Sequence, residues 1–211
     1  MDVLITAGPT REYLDPVRFL SNASTGRMGC ALASAAKAQG HRVTLVLGPA
    51  SVDPPEVDEL VRVTTAAEMR EAVLARFDGC DVFFGAAAVS DYRPVAREAQ
   101  KIKKVRERLA LDLERTADIL GEVSARRRGQ VLVGFCLETE DLEARAREKL
   151  KAKGLDLVVA NGPEAIGAER REAVLIDRSG QCERLRDIGP EALALRVLAA
   201  AARCGPERRG S

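Results

Sequence analysis

The chain contains no tryptophan, and its 211 residues include only two tyrosines, Tyr13 and Tyr92, and one histidine, His41. Proteins that bind single-stranded nucleic acid stack the bases on aromatic side chains and usually carry an excess of positive charge. This chain has few aromatic residues and a net charge of only +1. The composition therefore argues against nucleic acid as a partner.

Cysteine pairs with metal-binding spacing are also missing. The five cysteines stand singly and form no Cys-x-x-Cys pair, so a structural zinc site is not expected. Isolated cysteines in apolar runs are typical of a reducing compartment. The N-terminus lacks the basic region and apolar core of a signal peptide, and no apolar run reaches membrane-spanning length. We therefore expect a cytoplasmic protein without a membrane partner.

What the sequence does have is an alternation of short apolar strands with helical segments. Strands are predicted at residues 3–6, 42–47, 60–63, 81–84, 131–135 and 155–159, with a hairpin at 173–177 and 182–185. Helices are predicted at residues 29–38, 66–77, 117–124, 142–153 and 191–203. Apolar strands that alternate with helices form a parallel sheet covered on both faces. The pattern predicts an α/β fold with a Rossmann-like, doubly wound, mostly parallel sheet.

Residues 91–116 interrupt this alternation. The segment is polar and basic up to Leu109, after which apolar and polar residues alternate to Leu113. An insertion of this kind predicts a β-rich flap or extension that serves function or dimerisation. Because the sequence has no internal repeat or low-complexity linker, we predict a single domain over residues 1–205 and a disordered tail at 206–211.

The loop after the first strand has the composition of a phosphate site. Gly8 permits a tight turn, and Thr10 offers a hydroxyl donor. Ser24 and Gly26 belong to a run of small residues before a helix N-terminus, which favours an anion. Asn22 carries an amide able to donate to a developing oxyanion. The alternative is an ordinary loop whose polar residues cap the helix.

Small residues also follow the strand at 81–84. Gly85 and Ala87 allow a base or ribose to approach the backbone, and Asp91 is suited to a ribose hydroxyl or to the hydrated Mg²⁺ that accompanies a triphosphate. The alternative is that Asp91 caps a turn and pairs with Arg93.

A basic run, Lys101-Ile102-Lys103-Lys104, lies within the insertion. In an extended segment, Lys101 and Lys103 lie on one face and Ile102 on the other. Such cations stabilise the charge on phosphates and on a leaving pyrophosphate. The alternative is a solvated run without a ligand.

Six segments resemble phosphopantothenoylcysteine synthetase in order and spacing, and the likeness covers about residues 2–187. They are residues 5–12, 15–22, 87–93, 101–104, 134–139 and 155–161. The likeness is to the bacterial, CTP-dependent type, which is often the C-terminal half of a fusion with a flavin-dependent decarboxylase. The chain looks like a stand-alone synthetase or an excised domain.

The resemblance implies a ligase of coenzyme A biosynthesis that joins 4′-phosphopantothenate and L-cysteine. In this family, CTP forms an acyl-cytidylate with release of pyrophosphate, and cysteine then displaces CMP. The resemblance further implies Mg²⁺ with the triphosphate, a homodimer, and a separate flavin-dependent phosphopantothenoylcysteine decarboxylase as a candidate partner.

The family's functional residues can be carried over position by position. Asn22 matches the asparagine that handles the acyl-cytidylate, and Lys101 matches a lysine implicated in forming it. With Gly8, Thr10, Ser24 and Gly26 of the first loop, the predicted nucleotide contacts are Gly85, Ala87, Asp91, Lys101, Ala117, Asp118, Ile119, Leu120, Phe135, Lys149 and Lys153. Asp91 is the predicted Mg²⁺ ligand, directly or through water. Ala117 departs from the family's usual proline, and Arg27 from its usual lysine.

Two other function classes fit the same fold. One is a nicotinamide-dependent reductase, although the first loop is not the Gly-x-Gly-x-x-Gly fingerprint. The other is a nucleotide-binding module without catalytic activity. Turnover of CTP and a change in NADPH fluorescence distinguish them from the ligase.

Overall fold

The structure is a computed structural model and describes residues 1–104 and 107–205; the predicted tail at 206–211 lies outside them. Its centre is an eight-stranded sheet. In spatial order the strands are β12 (Cys182–Ile188), β11 (Arg171–Asp177), β10 (Leu157–Asn161), β9 (Val131–Leu137), β6 (Val82–Gly85), β1 (Asp2–Ala7), β4 (Arg42–Leu47) and β5 (Glu59–Arg62). The six strands from β10 to β5 are parallel, and β11 and β12 are antiparallel. The predicted Rossmann-like, mostly parallel sheet is confirmed.

Helices cover both faces of the sheet, which explains why its inner strands are almost continuously apolar. Two helices, α1 (Arg27–Ala38) and α5 (Pro190–Cys204), pack on one face. Three helices, α2 (Ala66–Phe77), α3 (Ile119–Arg126) and α4 (Leu142–Ala152), pack on the other. Among the described residues, no helix combines the length and the apolar character needed to cross a membrane.

Two helices begin two residues away from where the sequence pattern predicts. The first begins at Arg27 rather than at residue 29, because Gly26 adopts a left-handed conformation (φ 82°) that ends the preceding loop. The third begins at Ile119 rather than at residue 117, because the Asp118 side chain caps it by accepting a hydrogen bond from the Gly121 N–H at 3.0 Å.

Two small antiparallel sheets extend the molecule beside the central sheet. Strands β2 (Arg11–Tyr13) and β3 (Phe19–Ser21) form a hairpin where the sequence pattern predicts only a loop. Strands β7 (Tyr92–Pro94) and β8 (Leu113–Arg115) pair across the predicted insertion. This confirms a β-rich excursion, although Leu109 and Leu111 lie outside its strands and are exposed.

Candidate functional site

A cavity of about 820 Å³ opens at the carboxyl ends of the parallel strands. It lies where the strand order changes direction, with β4 on one side of β1 and β6 on the other. In doubly wound sheets this switch point is where ligands bind, because loops diverge there and leave a crevice. The cavity's volume is in the range of small-molecule sites.

One wall of the cavity is the start of α1 and the loop before it. The Ser24 hydroxyl accepts a hydrogen bond from the Gly26 N–H, and the Thr25 hydroxyl accepts one from the Arg27 N–H, both at 3.3 Å. Close packing holds this wall to the sheet, because a Cβ added at Gly29 would lie 2.3 Å from the Ala7 Cβ. Only glycine fits at this position without a shift of the helix.

Gly8 and Thr10 support this wall from behind and do not line the cavity. Gly8 has φ 78° and lies against the backbone of Gly48, so it serves the turn. The Thr10 hydroxyl is buried and accepts a hydrogen bond from the Ser90 N–H at 2.9 Å. It therefore helps to fix the segment after β6.

Asn22 does line the cavity, and its amide is engaged with the same segment. Its Nδ2 donates to the carbonyl oxygens of Ala88 at 3.0 Å and Val89 at 3.2 Å. Because both acceptors are carbonyl oxygens, the amide nitrogen must face them. Both amide hydrogens have acceptors in this arrangement, and Oδ1 is the atom that is left to contact a ligand.

The opposite wall consists of the N-terminus of α3 and one face of α4. Lys149 and Lys153, one helical turn apart, both line the cavity. Each has a partner in the protein, since Lys149 Nζ donates to the Phe135 carbonyl at 2.6 Å and Lys153 Nζ contacts the Asp118 carboxylate. Burial by itself raises the pKa of Asp118, but the hydrogen bonds from Lys153 and Gly121 outweigh this effect, and the pKa is lowered overall. Asp118 is therefore ionised at neutral pH.

The cavity contains one thiol, that of Cys136. Burial, together with a hydrogen bond from Sγ to Glu138 Oε1 at 3.3 Å, raises the pKa of Cys136 to about 11. A thiol with this pKa is protonated at neutral pH, so it is not poised as a nucleophile.

The basic segment at residues 101–104 is held by the β2–β3 hairpin. The buried Asp15 carboxylate accepts hydrogen bonds from the Val17 and Arg18 N–H groups, from the Arg18 guanidinium, and from the Ile102 N–H at 3.1 Å. Arg18 Nη2 in turn donates to the Ile102 carbonyl at 2.7 Å. We call this arrangement the Asp15 clamp. It fixes the backbone of the basic segment while Lys101 remains exposed.

The structure thus brings most of the predicted site residues together at one cavity. Those that line it are Asn22, Ser24, Gly85, Ala87, Asp91, Ala117, Asp118, Ile119, Leu120, Phe135, Lys149 and Lys153. Gly8, Thr10, Gly26 and Lys101 lie outside the lining. All of their ligand roles stay predictions.

Arg171 lines the cavity and was missed from the sequence. It lies in a charged run, Glu169-Arg170-Arg171-Glu172, which is typical of a solvated surface. The strand pattern could have revealed it. If the predicted strand at 173–177 is extended back by two residues, Arg171 lies on the same face as Ala173 and Leu175.

The donor set fits a metal ion that arrives with a nucleotide. Among the described residues, no group of three or more His, Cys, Asp or Glu side chains is placed to hold a metal. Asp91 is an exposed carboxylate on the cavity wall. Mg²⁺ is commonly held by one or two carboxylates together with substrate phosphates and water, which Asp91 can satisfy.

Comparison with known proteins shows the same fold and related sequences. The family profile described as the DNA/pantothenate metabolism flavoprotein C-terminal domain matches residues 1–204. The coenzyme A biosynthesis bifunctional protein CoaBC of Bacillus subtilis is 52% identical over 167 residues, which cover 79% of this chain and 41% of that protein. The chain thus spans about two fifths of that relative's length.

Solved structures agree. The crystal structure of the C-terminal domain of a CoaBC protein matches with a TM-score of 0.81 at 35% identity, covering 94% of this chain and 92% of that one. A mutant of Cab2 in complex with phosphopantothenate-cysteine has a TM-score of 0.79 at 20% identity, covering 96% and 87%. At that identity, the second match shows the fold alone.

Proposed function

Because the chain belongs to the DNA/pantothenate metabolism flavoprotein C-terminal domain family, we propose that it is a ligase of coenzyme A biosynthesis that joins 4′-phosphopantothenate and L-cysteine. In this proposal, CTP forms an acyl-cytidylate with release of pyrophosphate, and the cysteine amine then displaces CMP. The observation that carries the proposal is the cavity itself, which brings residues from five separate sequence segments to the switch point of the family's fold.

We place the nucleotide base and ribose against the α3–α4 wall and the phosphates toward α1. The first wall offers the segment from Ala117 to Leu120, Phe135, Lys149 of α4 and Lys153 at the C-terminal end of that helix. The second offers a helix N-terminus, where an anion is stabilised. When bound with the triphosphate, Mg²⁺ near Asp91 supplies neutralisation of phosphate charge.

Asn22 acts, in this proposal, through its oxygen. Its Nδ2 hydrogens are donated to Ala88 and Val89, which leaves Oδ1 to accept a hydrogen bond from the attacking amine. This assignment replaces the oxyanion-donor role that the sequence suggested. It orients the amine for attack on the acyl carbon, a positioning effect.

The proposed homodimer is supported by apolar side chains on the two small sheets. Val17, Phe19, Tyr92, Val95, Leu111 and Leu113 are exposed there. Several large apolar side chains exposed in one part of a molecule are a feature of interfaces. The single domain over residues 1–205, a cytoplasmic location and a separate flavin-dependent decarboxylase as partner stand as parts of the same proposal.

The decisive experiment measures pyrophosphate release with CTP and ATP side by side, with and without 4′-phosphopantothenate and Mg²⁺. The proposal expects pyrophosphate release that requires 4′-phosphopantothenate and Mg²⁺ and is faster with CTP than with ATP. Addition of cysteine should then yield the amide product. If no nucleotide yields pyrophosphate, a non-catalytic module is favoured instead. A quench of NADPH fluorescence on mixing would favour the reductase.

The nucleotide placement has its own test in α4. Changing Lys149→Gln removes a cation from the wall and should raise the KM for CTP about tenfold, the loss of one charge-assisted hydrogen bond. Lys151→Gln is the matched control, because Lys151 lies on the same helix but is exposed outside the cavity. Equal KM values for the two variants would contradict the placement.

A further inference from the structure

Arg171 is a buried arginine whose hydrogen-bonding capacity is mostly unused. Only 8% of the residue is exposed. Within residues 1–104 and 107–205, its Nη2 donates to the Ala168 carbonyl at 2.8 Å, while its buried Nε has no hydrogen-bond partner. A guanidinium has five N–H donors, and a buried one is normally paired with a carboxylate or another anion.

The surroundings of Arg171 add positive rather than negative charge. Burial lowers the pKa of Arg171, and the nearby Arg27 lowers it further, while Glu191 acts in the opposite direction. Arg27 begins α1, a helix of 12 residues, and lines the same cavity as Arg171. Two arginines therefore line the cavity near the positive end of a helix, close enough for the charge of one to act on the other.

We propose that Arg171 and Arg27 bind a phosphate group of a substrate at the α1 end of the cavity. The identity of that substrate rests on the proposed function, which supplies two sources of this chemistry: the triphosphate of the nucleotide and the phosphomonoester of 4′-phosphopantothenate. A phosphate between the two side chains offsets their mutual repulsion and supplies an acceptor to the orphaned donors of Arg171. The planar guanidinium suits a bidentate contact with phosphate oxygens.

The test uses inorganic pyrophosphate as the probe and calorimetry as the measurement. Arg171→Met keeps most of the side-chain length and removes the charge, so pyrophosphate should bind at least about tenfold more weakly. Arg170→Met is the matched control, because Arg170 is the neighbouring arginine, is exposed and pairs with Asp187. The control variant should bind pyrophosphate as the unmodified protein does.

Thermal unfolding separates a binding role from a structural one. Removing a buried, unpaired charge should leave the Tm of ligand-free Arg171→Met equal to or above that of the unmodified protein. A Tm well below that of Arg170→Met, or equal pyrophosphate affinity in the two variants, overturns the proposal. Absence of pyrophosphate binding by the unmodified protein overturns it as well.

Two further pairs of ligands identify the source of the phosphate. CTP is compared with CMP, and 4′-phosphopantothenate with pantothenate. If Arg171→Met weakens the binding of CTP but not of CMP, the site takes the triphosphate. If it weakens the binding of 4′-phosphopantothenate but not of pantothenate, the site takes the monoester. Because binding needs no turnover, a protein that binds pyrophosphate through Arg171 but releases none from CTP refutes the ligase and keeps this site.

Discussion

Removing the Asp15 carboxylate should release the basic segment from the β2–β3 hairpin. In Asp15→Ala, the Ile102 N–H loses its acceptor, and the Arg18 guanidinium loses the group that holds it against the Ile102 carbonyl. Two connections nearby are independent of Asp15: the hydrogen bond from the Glu98 N–H to the Leu14 carbonyl at 2.9 Å, and the Arg97 guanidinium over the Tyr13 ring, 4.9 Å from its centroid. The segment should therefore open without unfolding the sheet.

The size of the effect follows from the bonds that cross between hairpin and segment. Loss of one charge-assisted hydrogen bond changes an opening equilibrium about 10- to 100-fold. Asp15→Ala removes one such bond directly and weakens a second, so the open population should rise at least about tenfold. Asp15→Asn keeps one acceptor oxygen, so its open population should lie between those of the parent and the alanine variant.

Native-state trypsin digestion measures this opening, because Lys101, Lys103 and Lys104 are cleavage sites within the released segment. When opening and closing are faster than cleavage, the cleavage rate follows the open population. Asp112→Ala is the control, since Asp112 is an exposed carboxylate of the same insertion. Cleavage of Asp15→Ala at the parent's rate, with the protein folded, would refute the clamp.

The clamp should be insensitive to pH near neutrality. Burial by itself raises the pKa of Asp15, but the hydrogen bonds that the carboxylate accepts outweigh this effect. The pKa of Asp15 is therefore well below its ordinary value. A group whose pKa is lowered on folding stabilises the fold above its unfolded pKa, and that contribution is lost as the pH falls through the folded pKa. Amide hydrogen exchange of Ile102 should therefore show no loss of protection between pH 5 and 8 beyond the intrinsic pH dependence of exchange.

Three other predictions concern the proposed reaction and the packing behind the cavity. Asn22→Asp should still form the acyl-cytidylate but slow amide formation at least about tenfold, because a carboxylate repels the two carbonyl oxygens that the Asn22 amide contacts. Rapid-quench kinetics resolves the two steps, and an unchanged rate of product formation would contradict this prediction. Lys101→Gln should lose the first step, with Lys104→Gln as control, and full pyrophosphate release by the first variant refutes the assigned role. Gly29→Ala should lower the stability by about 1–3 kcal/mol and raise the KM for CTP, because its Cβ overlaps Ala7. Gly79→Ala is the control in thermal unfolding, because a Cβ there makes only an ordinary contact, 3.7 Å from the Arg76 carbonyl oxygen. Equal Tm values for the two variants would argue against this packing.

The central sheet was accessible from sequence because its inner strands are buried on both faces and form short apolar runs that alternate with helical segments. The β2–β3 hairpin was not, because strands of three residues are too short to show a period. The alternating leucines at 109–113 suggested a longer strand, yet only Leu113 lies in one, since pairing with β7 begins there. Alternation shows that a strand is possible, but the partner decides where it forms.

The sequence predicts the placement of a side chain where that placement follows from local spacing, and not where it depends on distant contacts. Lys149 and Lys153 share a helix face by spacing alone. Thr10 resembles a phosphate ligand in the sequence, yet its hydroxyl is committed to Ser90, 80 residues further along the chain. Arg171 resembles a surface residue, and only the fold shows that it is buried beside α1.

The edges of the central sheet bear on how copies of the chain can associate. Both edge strands, β12 and β5, expose charged side chains, among them Arg184, Arg186, Glu59 and Arg62. Charges on an edge oppose the addition of another strand. Fibre-like growth by sheet extension is thereby disfavoured, so the proposed dimer would form through the exposed apolar residues of the two small sheets, and a twofold axis would close that assembly at two copies.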